Sequence, residues 1–128
     1  MQEYRRKEHT LVTAVCLDLE TEGFTYQKWG GSQHCKKGDW IVKSKFDTYT
    51  VDADTFHSTY RLVSSESPGR YEKFGSVWAE EASKPGTIQT REGSTAYFKG
   101  DYLVFNDAAR KDGYAMNPKE FHELYELK

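Results

Sequence analysis

The chain has 128 residues, of which 37% are apolar and 15% are Phe, Trp or Tyr. This length suits one ordinary domain or two very small ones. A chain this long buries roughly two thirds of its unfolded surface, with large aromatic rings supplying much of the core. No apolar run approaches the roughly 18 residues that cross a bilayer, which excludes a membrane-spanning helix. The formal net charge of −2 argues against nucleic acid as a partner.

The N-terminal residues and the cysteines indicate a cytoplasmic protein. Residues 1–10 are charged, and no apolar stretch of a secretory signal follows them. Cys16 and Cys35 lie outside any CxxC pair, so reduced thiols are favoured, and a single disulfide between them stays the alternative. The cysteines and histidines lack the spacing of a zinc site, and we expect neither metal nor cofactor. His34 and Cys35 are adjacent and point to opposite faces of a strand, which argues against a cysteine nucleophile.

The elements form two similar sets in chain order. Alternating and β-branched residues predict four strands in the first set, at Val12–Leu19, Phe24–Trp29, Trp40–Val42 and Thr48–Val51. A short helix capped by Asp52 then follows. The second set has strands at Ser76–Ala79, Tyr102–Phe105 and Gly113–Met116. Its closing helix has Asn117 as N-cap, Pro118 at the first helical position and Glu120 completing a capping box.

The two sets match residue by residue, which indicates a duplicated unit. A shift of 62 positions brings Val15 onto Val77 and superposes two Lys-Gly-Asp turns, at 37–39 and 99–101. A shift of 65 aligns the closing helices. The chain is therefore predicted to be one domain of two tandem repeats, about 11–63 and 74–128, joined by the polar segment 64–73. The predicted fold is α+β and mostly β: two pseudo-equivalent β-rich repeats, each closed by a short helix, packed as one body.

Most residues that the two repeats share have structural explanations. Gly38 and Gly100 are predicted at positive φ, and the Asp after each is expected to bond its own turn backbone. Each helix is expected to anchor on its sheet through a Phe and a Tyr four residues apart. His57 and His122 follow these Phe residues and are expected at the surface. A symmetric pair of these histidines, facing each other across the axis between the repeats, is the alternative.

The shared pattern resembles a known family. Lys-Gly-Asp-aromatic-aliphatic-Val, then a strand containing Tyr and a Phe-x-x-x-Tyr helix, occurs at 37–60 and again at 99–125. This order is similar to that of the small phage and bacterial proteins of the PGDYG type, whose hallmark is a Pro-Gly-Asp-aromatic turn and strand. Lys37 and Lys99 stand where that hallmark has proline. The resemblance implies a phage or bacterial origin and assigns no activity.

The hairpin tips differ between the repeats, and a shared fold does not explain such differences. Trp29 in the first repeat aligns with Arg91 in the second. An aromatic face stacks on a base, and Arg or Lys binds phosphate through charge-assisted hydrogen bonds. A half-buried Trp29 and a solvated Arg91 are the alternative. The predicted ligand site has Trp29 and Tyr97 stacking, Lys37, Arg91 and Lys99 meeting phosphate, and Ser32, His34 and Ser94 orienting the ligand.

These observations favour a non-catalytic cytoplasmic protein that binds a small anionic, nucleotide-like ligand between its two repeats. In a phage or bacterial setting it would be an accessory or sequestering protein, in the host cytoplasm if phage-encoded. We assign no catalytic residue, because the chain has no phosphate-binding loop, GxSxG or HExxH motif. One alternative is an interaction module that docks on and blocks a partner protein through an exposed patch containing Trp29 or Trp78. A further alternative is a small enzyme with His57 or His122 as base, and a homo-oligomer stays open.

Overall fold

The computed structural model describes residues 1–8 and 10–128, and in them it confirms an α+β fold that is mostly β. The first half of the chain contains β1 (Gln2–Arg6), β2 (Leu11–Cys16), β3 (Phe24–Lys28), β4 (Gly31–Cys35), β5 (Trp40–Lys43), β6 (Thr48–Val51), α1 (Ala53–Thr59) and β7 (Tyr60–Leu62). The second half contains β8 (Arg70–Lys73), β9 (Ser76–Glu81), β10 (Gly86–Gln89), β11 (Ser94–Tyr97), β12 (Tyr102–Phe105), β13 (Gly113–Met116), α2 (Pro118–Leu124) and β14 (Tyr125–Leu127).

The strands form two five-stranded antiparallel sheets and two hairpins. The first sheet has the order β6-β5-β2-β8-β7, and the second has the order β13-β12-β9-β1-β14. Strands β1 and β8 are thus exchanged: β1 pairs with β9 and β14, and β8 pairs with β2 and β7. The predicted unit boundaries leave out both exchanged strands, because β1 precedes residue 11 and β8 lies within the predicted joint 64–73. These strands tie the two sheets together.

The sheet registers change one predicted correspondence between the halves. Val77 pairs with Tyr4 and is 2% exposed, whereas its predicted counterpart Val15 is 59% exposed. Val12 pairs with Tyr71 and is 2% exposed, so Val12 is the structural equivalent of Val77. The shift in this strand is therefore 65 positions, and the matching alternation of buried residues sets it. The tandem duplication itself stays a prediction, which the common strand order supports.

The turn and cap residues have the predicted local roles. Gly38 and Gly100 both have φ of 94°, a conformation that residues with a Cβ rarely adopt. In the same two turns, a side-chain oxygen of Asp39 accepts from Lys36 N at 3.0 Å, and one of Asp101 accepts from Phe98 N at 2.9 Å. These bonds fix the path of the chain into β5 and β12. The helix caps are confirmed by bonds from Asp54 N to Asp52 and from Glu120 N to Asn117.

Each sheet carries a stack of three aromatic rings that anchors its helix. In the first sheet, Phe56 of α1 stacks between Trp40 at 4.0 Å and Tyr60 at 4.8 Å, measured between ring centroids. In the second sheet, Phe121 of α2 stacks between Tyr102 at 4.1 Å and the tyrosine four residues after Phe121 at 5.2 Å. Offset stacking adds to the free energy gained by burying these rings. The predicted helix anchors are therefore confirmed as core residues.

The two hairpins, β3–β4 and β10–β11, join each other. His34 N donates to Glu92 O at 2.6 Å, and Ala96 N donates to Trp29 O at 2.8 Å. A Cβ on Gly93 would collide with the carbonyl of Ser32, so this close approach requires glycine. The hairpins therefore form one continuous unit that spans both halves. In the described residues, neither helix has the length or apolar character that crossing a membrane requires.

Replacing either central ring of the stacks tests whether the exchanged strands couple the halves. Phe56→Ala and Phe121→Ala should each lower the free energy of unfolding by about 3–5 kcal/mol, because each leaves a cavity in a packed core. Both variants should still unfold in one transition, since each sheet needs a strand from the other half. Urea unfolding followed by tryptophan fluorescence and by far-UV circular dichroism tests this. Two separate transitions would show that the sheets unfold independently.

Candidate anion site between the two sheets

A cavity of about 710 Å³ lies between the two sheets and the hairpins. Strands β6 and β13 and helices α1 and α2 contribute to its walls, and the β10–β11 hairpin closes part of it. This volume falls within the range of roughly 300–1,000 Å³ that is usual for small-molecule sites. Two cations, Arg6 and Lys73, line the cavity where the exchanged strands end.

The strand exchange brings Arg6 and Lys73 to this position. Arg6 is the last residue of β1 and pairs with Tyr125, the first residue of β14. Lys73 is the last residue of β8 and pairs with Tyr60, the first residue of β7. The two cations thus hold corresponding positions in the two sheets. Both also line a second cavity of about 400 Å³, so they separate the two spaces.

Four tyrosines surround the two cations. Tyr49 and Tyr60 share a hydrogen bond between their hydroxyls at 3.0 Å, and Tyr114 and Tyr125 share another at 2.9 Å. Lys73 Nζ donates to Tyr114 Oη at 2.9 Å and so connects β8 of the first sheet with the second sheet. The four side chains therefore place polar hydroxyl groups, each carried on an apolar ring, in the part of the cavity around the two cations.

The guanidinium of Arg6 has no counter-ion in the described part of the chain. Its Nε and Nη1 atoms are shielded from solvent and have no hydrogen-bond partner there. Its Cζ lies 5.2 Å from the centroid of the Tyr125 ring, a cation–π distance. By contrast, its neighbour Arg5 bonds Glu126 at 3.3 Å, and Arg61 on β7 bonds Glu72 at 2.7 Å. A shielded cation without a partner is costly, so this guanidinium is suited to receive an anion.

The cations change the acidity of the phenols that face them. Burial opposes ionisation of Tyr125, but Lys73 and Arg6 outweigh that effect and hold the pKa of Tyr125 below its ordinary value. Burial and the neighbouring Tyr125 raise the pKa of Tyr114 well above its ordinary value. Burial also disfavours the charge on Arg6, but the four tyrosines outweigh this effect and hold the pKa of Arg6 above its ordinary value. Arg6 therefore remains a cation throughout the physiological range.

A different set of polar groups lines another part of the cavity. Thr95 is 4% exposed, and its Oγ1 has no hydrogen-bond partner among the described residues. Asn106 donates from Nδ2 to Asp112 at 3.1 Å, while its shielded Oδ1 accepts nothing there. Burial first, and then the charges of Asp112, Asp52 and Asp39, raise the pKa of Glu92 to about 7. We call Glu92, Thr95 and Asn106 the acceptor wall.

Of the eight residues predicted to bind a ligand, Trp29 lines the cavity. Trp29 is 39% exposed, the centroid of its ring lies 6.3 Å from that of Tyr49, and its Nε1 donates to Asp47 at 3.1 Å. Arg91 is not among the residues that line the cavity. It pairs instead with Asp52 at 3.4 Å and Asp112 at 3.6 Å.

The other six predicted ligand residues also lie away from the lining of the cavity. Lys37 forms an ion pair with Glu20, and Lys99 is exposed in its turn. The hydroxyl of Ser32 accepts from Gln27. The remaining three are on the hairpins: His34, Ser94 and Tyr97. The structure therefore does not bring the predicted set together at the cavity.

The two helix histidines and both cysteines lie outside the lining of this cavity. His57 and His122 are exposed and contact the aromatic stacks of their own sheets, at 5.9 Å from Trp40 and 5.2 Å from Tyr102. They do not face each other in the cavity. Cys16 and Cys35 are free thiols. Burial raises the pKa of the Cys35 thiol, which disfavours the reactive thiolate.

Sequence reasoning missed Arg6 and Lys73 because both lie outside the predicted repeats. A signal for them exists: Tyr4-Arg5-Arg6 and Tyr71-Glu72-Lys73 share the pattern Tyr-x-cation. Such a three-residue match becomes meaningful only when strand pairing shows that Tyr4 and Tyr71 occupy equivalent positions. The acceptor wall has no comparable signal, because its members come from a turn, a strand and a loop.

Comparison with known proteins adds no assignment: no family model, no curated protein and no solved structure matches the chain. The resemblance to the PGDYG type therefore stays a prediction.

The raised pKa of Glu92 predicts a pH-dependent stability. In the unfolded chain the carboxyl loses its proton near pH 4.5, whereas the folded protein retains it up to about pH 7. The free energy of unfolding should therefore fall as the pH rises through this window. Glu92→Gln should remove that loss and be more stable than the native protein by about 1–3 kcal/mol at pH 8. Urea unfolding at pH 5 and pH 8 tests this, with the exposed Glu81→Gln as control. An equal effect of Glu92→Gln at both pH values would contradict it.

The tyrosine cluster predicts an unusually acidic phenol. One tyrosine should ionise below pH 10, the ordinary pKa of this side chain, because Lys73 and Arg6 stabilise the phenolate of Tyr125. Ultraviolet difference spectra recorded during a pH titration measure this ionisation. Tyr125→Phe should abolish the early step, and Arg6→Met should move it to higher pH. An unchanged titration in both variants would be inconsistent with this account of the cluster.

Proposed function

We propose that the chain binds and sequesters a small anionic, nucleotide-like ligand in the cavity between its two sheets, with Arg6 and Lys73 as its anion-binding pair. The shielded guanidinium of Arg6, which has no hydrogen-bond partner on Nε and Nη1 among the described residues, carries this proposal. A phosphate or carboxylate group is the natural occupant, because a guanidinium presents paired N–H donors to two oxygens of such a group.

The rest of the cavity supports a ligand larger than an inorganic ion. Its volume of about 710 Å³ exceeds what one phosphate group fills. Trp29 offers a partly exposed aromatic face on which a heterocyclic ring would stack. A cytoplasmic protein of phage or bacterial origin is part of this proposal, and the resemblance to the PGDYG type is what supports it.

The docking module remains the second candidate. Its predicted anchor Trp29 is 39% exposed, and its indole N–H is already bonded to Asp47. A docking function gives no reason for a guanidinium that lines a cavity and has no counter-ion in residues 1–8 and 10–128, so we favour ligand capture.

Native mass spectrometry of protein purified from bacterial cytoplasm is the first test. We expect an excess mass of a few hundred daltons that is released on denaturation, since Arg6 and Lys73 hold their ligand in a partly closed space. The Arg6→Met protein, purified in the same way, should have lost this mass. The same excess mass in both proteins would place the ligand elsewhere.

Calorimetry with pyrophosphate separates a binding role for Arg6 from a structural one. Arg6→Met should weaken pyrophosphate binding at least about tenfold, the effect of losing charge-assisted hydrogen bonds. The melting temperature of the ligand-free variant should stay the same or rise, because the substitution removes a shielded charge that has no counter-ion in the described part of the chain. Arg5→Met, on the same strand, is the matched control and should bind pyrophosphate normally. Failure of the native protein to bind pyrophosphate, or a large loss of stability in Arg6→Met, would reject the proposed site.

A further inference from the structure

The acceptor wall is left unexplained by an anion site alone. Glu92, Thr95 and Asn106 come from the β10–β11 turn, β11 and the residue after β12, and all three line the same cavity as Arg6. A carboxylate and an amide oxygen repel an anion instead of binding it, and Glu92 is a carboxylate above about pH 7. This wall therefore serves a different part of the ligand.

Two members of the wall have unused hydrogen-bonding capacity in a shielded position. Thr95 Oγ1 and Asn106 Oδ1 are both out of contact with solvent and have no partner among residues 1–8 and 10–128. Native proteins pair the large majority of buried side-chain polar atoms, so two unpaired oxygens that line one cavity are suited to bind a ligand there. The carboxyl of Glu92 forms no ion pair in the described residues that would occupy it either.

The pairing of Asn106 determines which kind of group is missing. Its Nδ2 already donates to Asp112 Oδ2 at 3.1 Å, and Thr55 Oγ1 donates to the same carboxylate oxygen at 2.9 Å. The amide is therefore held with Oδ1 free to accept. A carboxylate and an amide oxygen together accept from N–H or O–H donors, which amino-bearing heterocycles and sugars both present.

We infer that the ligand is bipolar: a phosphate-type anion binds Arg6 and Lys73, and an uncharged part rich in N–H or O–H donors binds Glu92, Thr95 and Asn106. This inference rests on the proposed function and adds the chemistry of the second end. A guanine nucleotide has both parts, since its base carries neighbouring N–H donors on one edge and its ribose carries hydroxyls. Guanosine diphosphate is therefore the probe, and pyrophosphate represents its anionic end alone.

Calorimetry with the two probes tests the second end. Guanosine diphosphate should bind the native protein at least tenfold more tightly than pyrophosphate. Thr95→Val should reduce the tighter binding of guanosine diphosphate severalfold and leave pyrophosphate binding unchanged. Val keeps the shape of Thr and has a methyl group in place of the hydroxyl. Asn106→Leu should act in the same direction. Thr87→Val, on the exposed side of the neighbouring strand β10, is the matched control and should have no effect.

The outcomes separate the two proposals. If pyrophosphate and guanosine diphosphate bind equally well, or if Thr95→Val leaves their difference intact, the acceptor wall does not bind ligand and the bipolar inference is wrong, while the anion site stands. If neither probe binds, the anion site fails and the inference fails with it. 2′,3′-Dideoxyguanosine diphosphate distinguishes the two sources of donors: an affinity retained by this analogue assigns the wall to the base, and an affinity reduced to that of pyrophosphate assigns it to the sugar.

Discussion

Strands β1 and β8 each complete the sheet formed by the other half of the chain, and the rest of the molecule depends on this exchange. β1 lies between β9 and β14, and β8 lies between β2 and β7, so neither sheet is continuous without a strand from elsewhere. The exchange also determines where the two strands end. Arg6 and Lys73 come to the cavity between the sheets because each is the last residue of an exchanged strand. Architecture and candidate site therefore have one common cause.

Local signals in the sequence predict individual elements well and long-range pairing poorly. The Lys-Gly-Asp turns, the helix caps and the Phe-x-x-x-Tyr anchors depend on neighbours within a few residues, and the structure has them as predicted. The correspondence of Val15 with Val77 fails because three residues are inserted between β2 and β3, and a single shift cannot represent an insertion. The position of β1 beside β9 depends on pairing across more than 70 residues, which no local pattern specifies. The cavity residues follow from that pairing and were missed with it.

The polar groups that line the cavity lower the stability of the fold. Among the described residues, the guanidinium of Arg6 and the shielded oxygens of Thr95 and Asn106 have no partner, and each arrangement costs free energy until a partner is bound. The aromatic stacks of the two sheets offset such costs, because they bury large rings in close contact. A ligand that pairs these groups would remove the cost and so stabilise the folded state. Polar groups that weaken a fold and face a cavity are typical of binding sites, where stability is exchanged for affinity.

The two sheets share their strand order, but the groups they present to the cavity are unequal. Arg6 and Lys73 occupy matching positions, yet a guanidinium binds two oxygens in one plane whereas an ammonium acts as a point charge. Glu92 and Asn106 correspond in the first half to Gly30 and Ser44, so the first half has neither this carboxyl nor this amide at the matching positions. A cavity between two identical halves would accept a ligand equally well in two reversed poses. The unequal groups remove that equivalence, so a bipolar ligand of the proposed kind would bind this cavity in one orientation.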